Sequence, residues 1–342
     1  MERPDLTDID PDVIAYIEFL EEQLLAGVAD RPVIAAPDPS EPPTTMQLIT
    51  ISAAGVAKRT ARHFYSRQRR GGMGVFDMET SPEDPPRFLV VADESAALLV
   101  WSNRGRVYRL PVAQLPATDV RGKGTDICER LKMLNNERIV AVLPENGGEE
   151  VALASERGWV RTIRASFLGS SLMQGMGFHD PNEGGELVAA CWLKQGDDLF
   201  VVSKQALAIR FSAHQLGGRR GRLGLRVDQG DQVLAIAATR ESGGVLLLGA
   251  DGKGTIRLMA GFRQNKAPGA GGKVALKTDR LVGAVAVDQN DDVFIISEQS
   301  KIIRFAAAEI PAKEGVVQGV NCMALRHDEV TALTVCAMPA DV

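Results

Sequence analysis

From Met46 onward the chain states one pattern six times. A short apolar run, a turn and a basic residue inside a second apolar run recur as ITISAAGVAKRT, LLVWSNRGRVYRL, VALASERGWVRTI, LFVVSKQALAIRF, LLLGADGKGTIRL and FIISEQSKIIRF. With Arg59, Arg109, Thr162, Arg210, Arg257 and Arg304 taken as equivalent, successive spacings are 50, 53, 48, 47 and 47 residues. A period of this size marks a repeat architecture and takes precedence over any segment-by-segment reading. A second landmark keeps the same phase, a glycine fourteen or fifteen residues further on: Gly74, Gly124, Gly177, Gly224, Gly271 and Gly319. An apolar stretch such as FLVVA, RIVAVL or LVGAVAV then closes each unit.

Each unit thus holds a β-hairpin, a glycine-containing crossing segment and at least one further strand, the content of a four-stranded blade. Such a blade cannot bury both faces alone, so six of them gain stability by closing into a ring. The expectation is an all-β, six-bladed, propeller-like disc over residues 46–342, with the strand connectivity left open. Composition agrees: 34 glycines, 5% aromatics and 45% hydrophobic residues suit short aliphatic strands joined by tight turns. Cys128, Cys191, Cys322 and Cys336 are scattered with no C-x-x-C pair, and are expected to be reduced. The N-terminus has no apolar signal region and no run reaches membrane-spanning length, which predicts a cytoplasmic protein.

Charge is unevenly placed. Residues 1–45 carry 11 Asp/Glu against 2 Arg, a net of −9, while the remainder carries 37 Lys/Arg against 33 Asp/Glu, a net of +4. The acidic leader is expected to contain a short N-terminal α-helix over about 11–26, with Pro11 at its first position, apolar Val13, Ile17, Leu20 and Leu24, and Gly27 as its stop. A Pro-rich tether follows. The apolar stripe either caps the disc, docks on a partner protein or forms a dimer, and the acidic tether is of the right sign to compete with an anionic ligand for the basic body.

The segment QRRGGMG at 68–74 resembles the gyrase-A box, whose usual form is QRRGGKG, with Met73 where lysine stands. GVAKRT at 55–60 and SNRGRVYRLPVAQLP at 102–116 are similar to the first two blades of the C-terminal domain of DNA gyrase A, and more loosely to those of the C-terminal domain of topoisomerase IV. The resemblance implies a six-bladed β-pinwheel, in which neighbouring blades exchange strands, with a basic rim that bends or partly wraps duplex DNA. It implies a non-catalytic, nucleoid-associated accessory of a type II topoisomerase core. A breakage-reunion region with its DNA-linking tyrosine would precede such a domain; Tyr16, Tyr65 and Tyr108 lie in the leader and blades, so this chain is expected not to cut DNA by itself. The competing reading is a protein-interaction propeller that has lost DNA wrapping.

Duplex DNA is bound without base readout when several cations replace condensed counterions along its phosphates. Glycines let backbone amides approach a phosphate, and arginine forks match phosphate geometry. The candidate DNA-binding residues are Lys58, Arg59, Arg67, Gln68, Arg69, Arg70, Gly71, Gly72 and Gly74 in the first unit and Arg104, Arg106, Arg109, Arg121 and Lys123 in the second. Arg219, Arg220 and Arg222 follow in the fourth, with Lys266 and Lys273 in the fifth. The hairpin cations Arg161, Arg164, Arg210, Arg257 and Arg304 are counted toward the same rim. SSLMQGMG and PAKEGVVQG, in units three and six, have no net charge, so the predicted path favours units 1 and 2 and continues toward 4 and 5. GAGGKV lacks P-loop spacing, the four histidines form no metal pattern and G-x-S-x-G is absent, so no cofactor, metal or small-molecule substrate is expected.

Overall fold

In a strand, successive side chains point to opposite faces, and here both faces are useful. The run Leu48-Ile49-Thr50-Ile51 is buried throughout because Ile49 and Ile51 pack with Leu98 and Val100 of the second unit, while Leu48 packs with Phe294 and Ile296 of the sixth. The same division places Leu99 and Trp101 against Val151 and Leu153 of the third unit. Continuous aliphatic runs, rather than alternating ones, are the signature of strands covered on both sides.

The computed structural model describes residues 41–216, 221–265 and 267–338, all within the compact unit Ser40–Val342. The leader helix expected over 11–26, with Val13, Ile17, Leu20 and Leu24, lies outside the described residues. Within them the α-helical content is α1 (Ile127–Arg130), capped by the Asp126 carboxylate, and everything else regular is strand or 3-10 turn.

Six sheets are formed. In the first blade the inner strand Pro86–Asp93 pairs with Met46–Ser52, which pairs with Val56–Ala61, and the outermost position is filled by Thr125–Asp126 of the second unit. Every blade repeats this plan, three strands of its own and an outer strand lent by the next unit; the fifth takes both Ala312–Lys313 and Val320–Asn321. The sixth blade takes Val75–Phe76 of the first unit, which closes the ring. The six inner strands neighbour one another in a complete circle around a central channel. The protein is a six-bladed pinwheel.

The hairpins also explain a recurring serine. The Oγ atoms of Ser52, Ser102, Ser155, Ser203 and Ser297 each accept a hydrogen bond from the backbone amide four residues on. The turn residue before that amide has positive φ, met by Gly55, Gly105 and Gly158 but also by Ala206 and Ser300; in the fifth hairpin Gly249 stands at the serine position, Gly252 has the positive φ and the Lys253 amide donates to Asp251 Oδ1.

Candidate nucleic-acid interface

Each outer strand is reached by a crossing segment, and the glycine that precedes the strand is fixed by sterics. A Cβ on Gly74 would lie 2.5 Å from the Ile302 carbonyl oxygen, one on Gly124 2.8 Å from that of Ala57, and one on Gly221 2.6 Å from that of Val160. Gly272 and Gly319 face equally close backbone, while Gly175 approaches the Tyr108 ring. The landmark glycines expected at 177, 224 and 271 are therefore corrected to 175, 221 and 272. The glycine belongs to the backbone-to-backbone approach of strand exchange, not to an open phosphate cradle. Gly71 likewise has φ of 78° and donates its amide to the Cys322 carbonyl, and Gly72 packs against Ile303.

The repeat arginine has a similar explanation. Arg59 Nε donates to the Leu115 carbonyl at 3.1 Å, Arg210 Nη1 to that of Phe262 at 3.2 Å, and Arg304 Nη1 to that of Tyr65 at 2.9 Å. In each case the acceptor ends the 3-10 turn of the following blade. Asp198 and Asp292 complete two of these clamps, at 2.8 and 2.6 Å from their arginines. Arg257 keeps the arginine without an aspartate: its Nε and Nη1 are buried and meet no acceptor, and its guanidinium lies over Phe262. Desolvation by burial holds its pKa down, opposed by Glu314. Arg210, Arg257 and Arg304 are thus core residues, not rim cations, and Arg59 is only 16% exposed in its side chain.

Lys58 is the plainest correction. It is fully buried, its Nζ 2.9 Å from Asp77 Oδ1, and Asp77 also accepts from Thr50 Oγ1 at 2.7 Å and Tyr65 Oη at 2.5 Å. Burial first, and then Asp77, push the Tyr65 phenol well above its usual pKa. Asp77 follows the strand that crosses to the sixth blade, so the pair pins the first crossing in place. A buried charge is tolerated when paired and hydrogen-bonded in this way.

The arginines of QRRGGMG divide by role. Arg70 donates from Nε to the Glu309 carbonyl and from Nη1 to that of Asn321, while its amide binds the Glu309 carboxylate. Arg67 lies 2.9 Å from Asp292 Oδ1, and the Gln68 amide donates to the Arg304 carbonyl. Arg69 is exposed and takes part in no ion pair among the described residues. Glu41, the last acid of the leader, is buried beneath this seam, bridging Arg62 at 2.9 Å and Arg304 at 2.6 Å. Burial raises its pKa, but the hydrogen bonds from Arg62 and Arg304 outweigh it and hold the carboxyl below its usual value.

Beyond this seam, Arg121 and Lys123 are exposed in the second crossing; Lys123 meets Glu79 at 3.2 Å, an exposed pair, and Arg121 has φ of 75°, an uncommon setting for a side chain. Arg222 is exposed on the outer strand of the third blade and Lys273 on that of the fourth. Arg226, unanticipated from the sequence, is exposed beside Gly271. Arg109 is held bidentately by Glu145, at 2.8 and 2.9 Å, Arg106 lies 3.7 Å from Glu137, and Arg104 is exposed at a hairpin turn. Arg219, Arg220 and Lys266 lie outside the described residues. No cluster of three His, Cys, Asp or Glu side chains fit to hold a metal occurs among the described residues.

Strand exchange moves every crossing one blade back. The cations therefore stand at the outer edges of blades 6 and 1 (Arg69; Arg121 and Lys123), skip blade 2, where Met176–Gly177 is uncharged, and resume at blades 3 and 4. Fold and perimeter together define a strand-exchanged propeller with an interrupted basic edge.

Known proteins agree. The family described as DNA gyrase C-terminal domain, beta-propeller, matches residues 47–84, 97–144, 197–240 and 291–313. The DNA gyrase A subunits of Mycobacterium tuberculosis (29% identical over 313 residues) and of Escherichia coli (29% over 306) match 87% and 86% of this chain. The chain spans about a third of those relatives, 36% and 35% of their lengths. A solved DNA gyrase A C-terminal domain superposes with a TM-score of 0.75 over 85% of this chain and 99% of that one, at 18% identity. The topoisomerase IV C-terminal domain gives 0.60, over 85% and 93%, at 17%. Over these spans the chain is similar to the DNA gyrase A C-terminal domain family.

Proposed function

We propose that this protein binds duplex DNA on the perimeter of the disc, bends it, and serves as a non-catalytic accessory to a type II topoisomerase core. The observation that carries this reading is the placement of Arg69, Arg121, Lys123, Arg222 and Lys273, all exposed, on crossing segments and outer strands of four blades. Such an edge contacts phosphates and reads no bases. Bending a short site by 40–90° costs about 1–6 kcal/mol, so an edge interrupted at blade 2 supports a bend more readily than a full wrap. The family relationship points the same way.

The test is the salt dependence of DNA affinity. If about five phosphates are neutralised, the slope of log K against log salt is about −4.5, and closing nicked plasmid in the presence of the protein shifts its linking number. A slope near zero would remove the DNA role. It would instead favour a protein partner at the exposed apolar edge formed by Met73, Val75 and Phe76.

A further inference from the structure

The third unit departs from the others at the repeat position, where Thr162 stands in place of the arginine. In blades 4 and 6 that arginine sits in a frame of two parts. An acid at the start of the hairpin binds its Nε, Asp198 at 2.8 Å and Asp292 at 2.6 Å. Its Nη1 donates to two carbonyls of the next blade, that of the first residue of the 3-10 turn and that of the residue three further on. These are Met259 and Phe262 at 2.8 and 3.2 Å, and Arg62 and Tyr65 at 3.3 and 2.9 Å. Strand register locates the same frame in blade 3. Asp198 pairs with Ser212 and Asp292 with Ala306, in each case two residues beyond the arginine; two residues beyond Thr162 stands Arg164, which pairs with Glu150. The turn Ala213–Leu216 of blade 4 places Ala213 and Leu216 at the two carbonyl positions. The acid is kept in the one blade that has no arginine for it.

Glu150, Thr162, Ala213 and Leu216 all line one open cavity of about 690 Å³. Glu150 is half-buried, and its carboxylate takes part in no hydrogen bond or ion pair among the described residues. Of the other charged groups on the wall, Asp197 is bound to Arg240 at 2.9 Å. Glu149, Arg164, Lys194 and His214 are exposed, where solvent and salt screen them. A threonine in the arginine's place removes a fork of five N–H donors and leaves its acceptors standing. We propose that this cavity binds a guanidinium group carried by another molecule, with Glu150 as its carboxylate partner and the Ala213 and Leu216 carbonyls as its further acceptors. The planar fork engages a carboxylate along one edge while its remaining N–H groups reach neighbouring acceptors. Free arginine and the arginine side chain of a protein segment share this chemistry. The site uses none of the perimeter cations assigned to DNA.

The probes are N-acetyl-L-arginine amide, which mimics an arginine within a peptide, and free L-arginine, each titrated into the full chain and followed by saturation-transfer NMR. One saturable site per chain is expected. Tighter binding of the capped form identifies a protein segment as the source, and tighter binding of the free form identifies the amino acid. Glu150→Gln should weaken binding at least tenfold. Thr162→Arg, which supplies the guanidinium from the chain itself, should abolish binding and, without ligand, melt above the wild type. Arg164→Ala should bind at least as tightly as the wild type, because it removes the cation that faces Glu150 across the hairpin. The perimeter variant Arg69→Ala/Arg121→Ala should bind the probes unchanged. No saturable binding at millimolar probe, binding that survives in both Glu150→Gln and Thr162→Arg, a Thr162→Arg protein that melts below the wild type, or weaker binding in Arg164→Ala would each overturn the proposal.

Discussion

Lys58→Met distinguishes an anchoring cation from a DNA-contacting one. The ammonium is fully buried and bonded to Asp77, Thr60 Oγ1 and the Asp119 carbonyl. Removing it strands the Asp77 carboxylate, which keeps only two hydroxyl donors, from Thr50 and Tyr65. Breaking a buried pair from one side costs about 3–5 kcal/mol. With an unfolding entropy of about 2.1 cal/mol/K per residue over roughly 300 residues, that corresponds to a drop of about 5–8 °C in Tm. Asp77→Leu should cost a similar amount. The double variant Lys58→Met/Asp77→Leu, which leaves no orphan charge, should recover most of the loss. Calorimetric melting of the four proteins measures this, and DNA titrations below the transition supply the second readout. If Lys58→Met melts with the wild type while the salt slope of DNA binding becomes shallower, Lys58 is a phosphate contact and the assignment is wrong.

Other expectations follow from the same geometry. Arg69→Ala/Arg121→Ala should leave Tm unchanged and make the salt slope shallower by about 2, measured by anisotropy at several salt concentrations. Gly221→Ala, whose φ is 69° and whose Cβ would approach the Val160 carbonyl, should destabilise by about 1–2 kcal/mol or more, whereas Gly177→Ala, with nothing within 4 Å, should be close to neutral in denaturant titration. Glu41 has a lowered folded-state pKa, so its stabilisation is present above its ordinary value of 4.5 and is lost as pH falls through the lower folded value. The Tm difference between wild type and Glu41→Gln should be constant near neutrality and vanish in acid. Arg257→Met should be neutral or stabilising in thermal melts, because the guanidinium it removes is buried without an acceptor.

The ring was legible because its landmarks keep the phase of the blades: an arginine that clamps the next turn at Arg59, Arg210 and Arg304, and a glycine just ahead of each exchanged strand. What those landmarks do was not legible. Spacing cannot tell whether a basic residue next to aliphatic ones faces solvent or a seam, and Lys58, Arg210 and Arg304 face seams. Nor could a glycine count choose between Gly175 and Gly177, since only the register of Met176 against Val107 decides which one meets Tyr108. Asp77 and Glu41 give no local signal because their partners are distant in the chain, Arg304 lying 263 residues from Glu41. The exposed cations of QRRGGMG and of the second crossing were readable, but only Arg69 of the box arginines is left uncommitted to the seam.

The loan of Val75–Phe76 to the last blade also orders events during synthesis. The first crossing leaves the ribosome before the strand Lys301–Ala306 exists, so its edge stays unpaired until almost the whole chain has emerged. An open edge bearing two exposed apolar residues is prone to pairing with other chains, and its native partner arrives only after the longest closure of any strand pair among the described residues. Closure is then a proofreading event: a chain that stops short of the sixth unit never shapes its first crossing, and so never presents Arg69 in the setting that a finished molecule gives it.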